Sequence, residues 1–413
     1  MKYLVLVGDG MADFPLPEHG NKTPLELAST PAMDALARQG LTGLFWPIPD
    51  GLAPGSDIGN LSLFGYDPRT MFSGRAPLEA ARHRITLSDT EVAFRCNLVT
   101  LRDGIMASFT SGHISSAEAA SIIETLNQEL SRFPVRFHPG VSYRHLAIVQ
   151  ADTATVNDLA TVKTTPPHDI TDQAFEPHLP SGEASDLVRE LMKASQPILA
   201  AHPVNEARRT NGQPPATSIW LWGQGRAPAM ETYRKRFGLQ GTVISAVDLV
   251  KGIGVCAGLE VLDVVGATAY LDTDYEGKVA GALDALERLD FAYVHVEAPD
   301  ETSHEGKLDL KIEAIEAFDQ RVVRPCSRWL EDGDDRRVLV APDHVTALST
   351  KTHAGGPVPF ALCGAGVVPN GASGYSEAAA RETGLVVEQG HELVCRMLRG
   401  SKLDTSGLNG GTD

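Results

Sequence analysis

Arg337-Val-Leu-Val-Ala-Pro-Asp-His-Val-Thr-Ala-Leu-Ser-Thr-Lys-Thr-His353 opens as an apolar run, Val338 to Ala341, and closes on side chains of the kinds that bind metal ions. A run this short, apolar on both faces, reads as a strand buried inside a parallel sheet. Pro342 ends it, because proline has no N–H to give the ladder. Asp343 and His344 follow at once, and His353 stands further along the loop. One carboxylate and two imidazoles therefore lie past the carboxyl end of a strand, where an open α/β sheet places its active site. A loop Asp-His pair is as readily solvated or hydrogen-bonded, so a metal site requires similar ligands past other strand ends.

Two other stretches repeat the pattern. Tyr3 to Val7 is apolar and runs into Gly8-Asp9-Gly10-Met11-Ala12-Asp13, which makes Asp9 a second candidate ligand. The same residues also suit an ordinary strand-to-helix turn with Asp as the cap. Phe291-Ala-Tyr-Val-His-Val-Glu-Ala-Pro-Asp-Glu-Thr-Ser-His304 is again strand, proline and aspartate. Its Asp300-x-x-x-His304 spacing puts both side chains on one helical face, within reach of one ion. Ser56, in Ala53-Pro-Gly-Ser-Asp-Ile-Gly-Asn60, follows Gly55 at the start of a helical pattern. Free N–H groups and the helix dipole there favour a phosphate or a nucleophilic oxygen, although most serines so placed are simple N-caps. A metal ion decides between those roles, since coordination turns a weak hydroxyl into a nucleophile. Three Asp, three His and one Ser make two sites of mixed oxygen and nitrogen ligands. Such sites suit Mn²⁺ or Zn²⁺ better than Mg²⁺, and paired ions clamp the attacking and leaving oxygens of a phosphoryl displacement.

The whole chain sets bounds on what surrounds these ligands. Its 413 residues, 42% hydrophobic and 22% charged, suffice for a large core and two domains. A net charge of −17 argues against partnership with nucleic-acid backbones or anionic membranes. Five scattered cysteines with no C-x-x-C pair fit a reducing cytoplasm. The N-terminus turns polar too early for a signal peptide, and no apolar run reaches membrane-spanning length.

Near residue 86 the texture changes. Glu91 to Leu101 and Ile105 to Phe109 read as a hairpin, Ser115 to Leu130 as a capped helix, and Val135 to His138 and Tyr143 to Val149 as further strands. This predicts a discontinuous metal-binding domain, 1–85 and 213–413, interrupted by an α+β insert at 86–212. The strand Ser218 to Trp222 is taken as the return to the first domain. The second half is expected to hold a helix of about 25 residues from Leu308 to Glu331, a closing helix from Ala378 to Leu398 and a polar, mobile tail from Gly400. Arg75 in a turn-rich segment, Arg144, His168 and Asp169 in the insert, and Lys278 near a helix start are candidates for touching an anionic substrate; each suits a structural role equally.

The order Asp9, Ser56, Asp300-x-x-x-His304, Asp343-His344 and His353 resembles the alkaline phosphatase superfamily. More narrowly, Gly8-Asp-Gly-Met-Ala-Asp13, Pro54-Gly-Ser-Asp57 with Gly65-Tyr-Asp-Pro68, Ser73-Gly-Arg-Ala-Pro-Leu-Glu79, Pro166-Pro-His-Asp169 and Asp272-Thr-Asp-Tyr-Glu-Gly-Lys278 resemble the archaeal-type cofactor-independent phosphoglycerate mutases. The resemblance covers nearly the whole chain. It implies an alkaline-phosphatase-like, mostly parallel α/β sheet flanked by helices, with a smaller inserted domain that grips glycerate and excludes water. It also implies one ion on Asp9, Ser56, Asp343 and His344 and another on Asp300, His304 and His353, Mn²⁺ foremost, with Zn²⁺, Co²⁺ or Mg²⁺ as alternatives. Ser56 would take the phosphoryl group from 3-phosphoglycerate and return it to the neighbouring hydroxyl, a step of glycolysis and gluconeogenesis that needs no 2,3-bisphosphoglycerate.

One residue departs from the pattern. The family carries His shortly after the nucleophile, in Ser-Asp/Glu-x-x-His, where this chain has Asn60, which cannot carry a proton near pH 7. That leaves open a homoserine kinase-like phosphotransferase of the same family. A phosphatase, a phosphopentomutase and a non-enzymatic α/β binding protein are the remaining alternatives.

Overall fold

Three strands apolar on both faces, Lys2–Gly8, Phe291–Val296 and Arg336–Ala341, lie parallel and adjacent at the centre of an eight-stranded sheet in the computed structural model, which describes residues 1–399 and 402–409. Their register sets Val7 opposite both His295 and Ala341, so the three chains leave the sheet at one level. Gly241–Ile244 and Glu260–Val261 extend the sheet in parallel on one side. On the other side Val358–Gly364 runs antiparallel between Arg336–Ala341 and Leu41–Phe45, and Val386–Val387 closes that edge. Leu4, Leu6, Val294, Val338 and Val340 meet Met33, Leu286 and Phe318 from covering helices in one buried cluster, which is why that face of the strands is apolar throughout. The expected mostly parallel α/β sheet with a smaller α+β companion is the architecture observed.

The chain divides into two compact units. One spans Met1–Phe72 and resumes at Ala229; the other is Ser73–Pro228. Both junctions lie outside the expected 86–212 insert, and the reason is strand pairing. The strand read from sequence as Ser218 to Trp222 and as the return to the first domain extends over Ser218–Gly225 and pairs antiparallel with Glu91–Arg102 in the second unit. Glu91–Arg102 is the spine of that five-stranded sheet, flanked also by Arg144–Gln150 and Ile105–Ser108. The helix Arg75–Arg82 belongs here too, since Ala76 and Ala80 pack on Ala93 and Leu146.

Two long helices expected from sequence are interrupted. Leu308 to Glu331 is helical throughout but passes through a π turn at Asp319–Val323, just before Pro325, which has no N–H to continue the ordinary ladder. Asp319 accepts hydrogen bonds there from the amides of Ala32 and Met33 at 3.2 and 2.7 Å, capping the helix Pro31–Gln39. The closing helix breaks at Gly384, whose φ of 69° favours glycine, into Glu377–Glu382 and Gly390–Arg399. Part of the tail is anchored, with Leu403 buried and bridged to Val367; residues 400, 401 and 410–413 lie outside the described residues. Among the described residues no helix is long and apolar enough to cross a membrane.

His145, on a strand of the second unit, is buried, and its Nδ1 accepts from the Gly140 amide at 3.0 Å, which requires a bare nitrogen. Burial pushes the imidazole down to about 4, against roughly 6.5 for a free histidine. Between those values the unfolded chain binds a proton that the folded unit refuses, so stability falls as pH drops. Urea unfolding at pH 7 and pH 4.5 should show the wild type losing roughly 2–3 kcal/mol more than His145→Asn over that interval.

Candidate active site

The common register of the central strands brings their next residues to one edge. Asp9 follows Lys2–Gly8, Asp343 and His344 follow Arg336–Ala341, and Asp300 and His304 lie on the helix Ala298–Glu305 that follows Phe291–Val296. His353 arrives on a hairpin, Val345–Ala347 paired with Thr352–Ala354. Around Asp300, His304 Nε2 stands 3.2 Å from Oδ2, His353 Nε2 3.4 Å from Oδ1, and the two imidazole nitrogens are 3.1 Å apart. Around His344, Nε2 is 3.2 Å from Asp9 Oδ1, 3.2 Å from Ser56 Oγ and 3.6 Å from Asp343 Oδ2. All seven residues singled out from sequence thus fall in one contiguous cluster. Asp9 joins its halves, its carboxylate lying within 4.8 Å of ligand atoms on Asp300, Asp343 and His344.

Ser56 reaches the cluster because of Gly59. Ser56 is the first residue of the helix Ser56–Leu63. A Cβ at Gly59 would lie 2.1 Å from the carbonyl oxygen of Asp343, so only glycine lets this helix rest against the backbone that carries Asp343 and His344. Gly10 is constrained in the same way, with φ 58° and a Cβ position only 2.5 Å from Asp300 Oδ1. Asn60, one residue beyond the close approach, is fully buried. Its amide donates to the Ser56 carbonyl at 2.9 Å and to Asp343 Oδ2 at 2.6 Å, while its oxygen accepts from Tyr293 at 2.6 Å. At this position an amide, with donors and an acceptor on one rigid group, serves all three partners.

The electrostatics are those of crowded negative charge. Burial, and then the neighbouring Asp343 and Asp300, raise the Asp9 carboxyl well above the usual range. Burial acts the same way on Asp300, but hydrogen bonds from His304 and His353 outweigh it and hold that carboxyl well below. The hydrogen bond to Asp300, opposed by burial, lifts His304 to about 9. Asp9 Oδ1 is buried with no hydrogen-bond partner among the described residues, although His344 Nε2 is 3.2 Å away. A carboxylate oxygen and an imidazole nitrogen converging at that spacing without a hydrogen bond between them fit a shared divalent cation, as does the donor set as a whole.

His295 and Glu297 were not found from sequence. His295, fully buried, places Nε2 3.4 Å from Asp9 Oδ2 and Nδ1 3.2 Å from Glu297 Oε1, and with Asp9 and Asp343 it forms a further ligand-type group. Burial opposes its charge, but Asp9, Asp343 and Glu297 raise it to about 10. The available signal was the polar alternation of Tyr293 and His295 within a strand otherwise built for the core, continued by Glu297 just past its end. Lys278 belongs to the same network and is a correction: its ammonium is fully buried, 2.6 Å from Glu297 and 3.0 Å from the His295 carbonyl, so its anion is internal.

Within the second unit, Arg75, Arg144 and His168 each lie near Arg95, which the sequence did not single out. Arg95 pairs with Glu79 at 3.2 Å and stacks 4.2 Å over Trp222. Burial lowers its pKa first, and Arg75 and Arg144 are near enough to lower it further. His168 packs edge-on to Trp222 at 5.4 Å and lies 3.4 Å from the exposed Asp169.

Comparison with known proteins settles which family builds this cluster. Residues 37–205 match the family model described as 2,3-bisphosphoglycerate-independent phosphoglycerate mutase. A protein named a probable 2,3-bisphosphoglycerate-independent phosphoglycerate mutase, from Geobacter sulfurreducens, is 50% identical over 403 residues, 96% of this chain and 100% of its own. The chain belongs to this family. A second relative of that name, from Methanothrix thermoacetophila, is 48% identical across 97% of this chain and 100% of its own. The fold of the family is also that of a cofactor-independent phosphoglycerate mutase from Thermoplasma acidophilum, with a TM-score of 0.65 at 23% identity over 96% of this chain and 100% of that one.

Because Gly59 sets the approach of the Ser56 helix, Gly59→Ala should displace Ser56 from His344. We expect turnover to fall about 100-fold, the cost of roughly an ångström of misplacement. Steady-state kinetics on the variant, with circular dichroism to confirm a folded protein, measure this.

Proposed function

We propose that this chain interconverts 3-phosphoglycerate and 2-phosphoglycerate without 2,3-bisphosphoglycerate, carrying the phosphoryl group on Ser56 in between. The observation that supports this most is the placement of Ser56 Oγ, 3.2 Å from His344 Nε2, at a helix N-terminus beside three clustered aspartates. Asp9, Ser56, Asp343 and His344 would hold one divalent cation, and Asp300, His304 and His353 a second, Mn²⁺ foremost, with Zn²⁺, Co²⁺ or Mg²⁺ as alternatives. Bound there, such ions lower the pKa of the serine hydroxyl and neutralise charge on the phosphoryl oxygens.

Ser56 Oγ gives up its proton and bonds to phosphorus as the bond to the substrate's C3 oxygen breaks, and that oxygen gains a proton. The C2 hydroxyl of the same glycerate then loses its proton as it takes the phosphoryl group back, and the freed Ser56 Oγ is protonated again. Being the first helical residue, Ser56 offers the phosphoryl group the amides and the positive dipole end of the helix. In the second unit, Arg75, Arg144 and His168, with Asp169 beside them, are the groups assigned to the anionic substrate, joined by Arg95. Lys278 is withdrawn from that role. All five cysteines are free thiols, in keeping with work in a reducing cytoplasm.

The homoserine kinase reading arose from Asn60. In the fold its amide is committed to Ser56, Asp343 and Tyr293, so it acts as a brace beneath the nucleophile and has no proton-transfer task to fulfil or lose. This favours the mutase.

Purified protein with Mn²⁺ and 3-phosphoglycerate, coupled to enolase and free of bisphosphoglycerate, should turn over. Ser56→Ala should lower the rate more than about a thousandfold. Removing metal with a chelator should abolish turnover and lower the melting temperature, since the aspartates are then left without counter-charge. A folded, Mn²⁺-loaded protein that is silent here and phosphorylates homoserine from ATP would overturn the mutase in favour of the kinase.

A further inference from the structure

Thr346 lies in the strand Val345–Ala347 and is fully buried, two residues past His344. Its hydroxyl oxygen is 2.5 Å from Asp300 Oδ1 and 3.1 Å from His344 Nδ1. A hydroxyl has one proton, and an ionised carboxylate only accepts, so that proton goes to Asp300. His344 Nδ1 must then be the donor to the hydroxyl oxygen, which leaves Nε2 bare in the neutral ring. Nε2 is the atom that faces Ser56 Oγ and Asp9 Oδ1.

We propose that Thr346 is a positioning residue that ties the two carboxylate–imidazole clusters together and presents His344 in the tautomer able to serve the Ser56 side of the site. This rests on the phosphoserine reading only for its kinetic readout.

The position of the hydroxyl is fixed from several directions. The Thr346 amide donates to the Ala12 carbonyl at 3.2 Å, and the Thr346 carbonyl accepts from Lys311 Nζ at 2.7 Å. Lys311, itself fully buried, also holds Asp13 at 2.9 Å and the Ala12 carbonyl at 3.2 Å. Gly10 leaves open the space in front of the hydroxyl, since a Cβ there would come within 2.4 Å of it. The same hairpin orients the other half of the cluster. Lys351, at its turn, has φ 58°, a left-handed conformation uncommon for a side-chain-bearing residue, and its carbonyl lies 2.8 Å from His304 Nδ1. That carbonyl can only accept, so His304 carries a proton on Nδ1, which fixes the ring with Nε2 towards Asp300.

The test pairs Thr346→Val, which removes the hydroxyl at similar volume, with Thr346→Ser, which keeps it. Mn²⁺ binding by equilibrium dialysis and the kcat and KM of the enolase-coupled assay are measured on both, with thermal melts to confirm folding. Thr346→Val should weaken Mn²⁺ binding and lower kcat, each by roughly 10–100-fold, while KM stays within about threefold and Thr346→Ser stays within about threefold of wild type throughout. Thr346→Val matching wild type in metal affinity and kcat would overturn the proposal, and so would Thr346→Ser failing as badly as Thr346→Val. Should Thr346→Val not fold, Thr346→Ala carries the same measurements and thresholds. If wild-type protein binds Mn²⁺ but shows no mutase turnover, the function reading fails while the dialysis comparison still decides Thr346.

Discussion

Buried like charge is the constraint on which this structure turns. Asp9 lies within 4.8 Å of carboxylate oxygens of both Asp300 and Asp343, and all three residues are nearly or wholly out of solvent. At such a spacing each pair of ionised carboxylates repels by on the order of 3 kcal/mol, even with the screening typical of a protein interior. No fold keeps such groups together unless covalent placement forces them and counter-charge relieves them. The placement comes from the sheet. Three parallel strands in a common register end side by side, and the aspartates are on the segments that leave those ends. Relief comes from the imidazoles of His295 and His304, both raised by the carboxylates beside them, and the donor set invites cations to supply the remainder.

Beneath this cluster lies a second layer of buried polar chemistry, which explains why charged residues occur in an otherwise apolar core. Glu297 accepts from Lys278, from the Ser245 hydroxyl and from the Ala246 amide, and stands against His295, so every charge there is matched. Lysine and imidazole hold the Glu297 carboxyl well below its usual range despite burial. A comparable network joins Lys311 to Asp13, while Glu377 binds the Asp13 amide and the Thr23 hydroxyl. Removing one partner from such a pair strands a buried charge, which is costlier than never having had the pair. These networks fix the loops after the strands as firmly as hydrogen bonding fixes the strands themselves.

Much of this was legible beforehand, and unevenly so. The two-faced apolar runs announced buried parallel strands, and Asp or Asp-His just beyond them announced the side chains that cluster at the strand ends. Local chemistry of that kind survives in one dimension because a strand end and its loop are contiguous. The errors share the opposite cause. The strand at Ser218 to Trp222 was read as the return to the first domain since nothing in its composition says that its partner is Glu91–Arg102. Lys278 was read as an anion site because its partner, Glu297, is near only after folding. His295 and Arg95 were passed over because a lone histidine or arginine in a strand carries no local signature of what it faces.

By itself, then, the sequence determined which segments are buried strands, which seven side chains belong together and which family the chain resembles, since periodicity, proline punctuation and ligand type are properties of neighbours along the chain. Tertiary structure alone decided that Gly59 lets the Ser56 helix touch the Asp343 backbone, that Asn60 is a brace, and that one threonine hydroxyl spans two ligand clusters. Those are contacts between residues far apart in sequence, and a hydrogen bond or a close backbone approach exists only where the fold has brought both of its atoms to the same place.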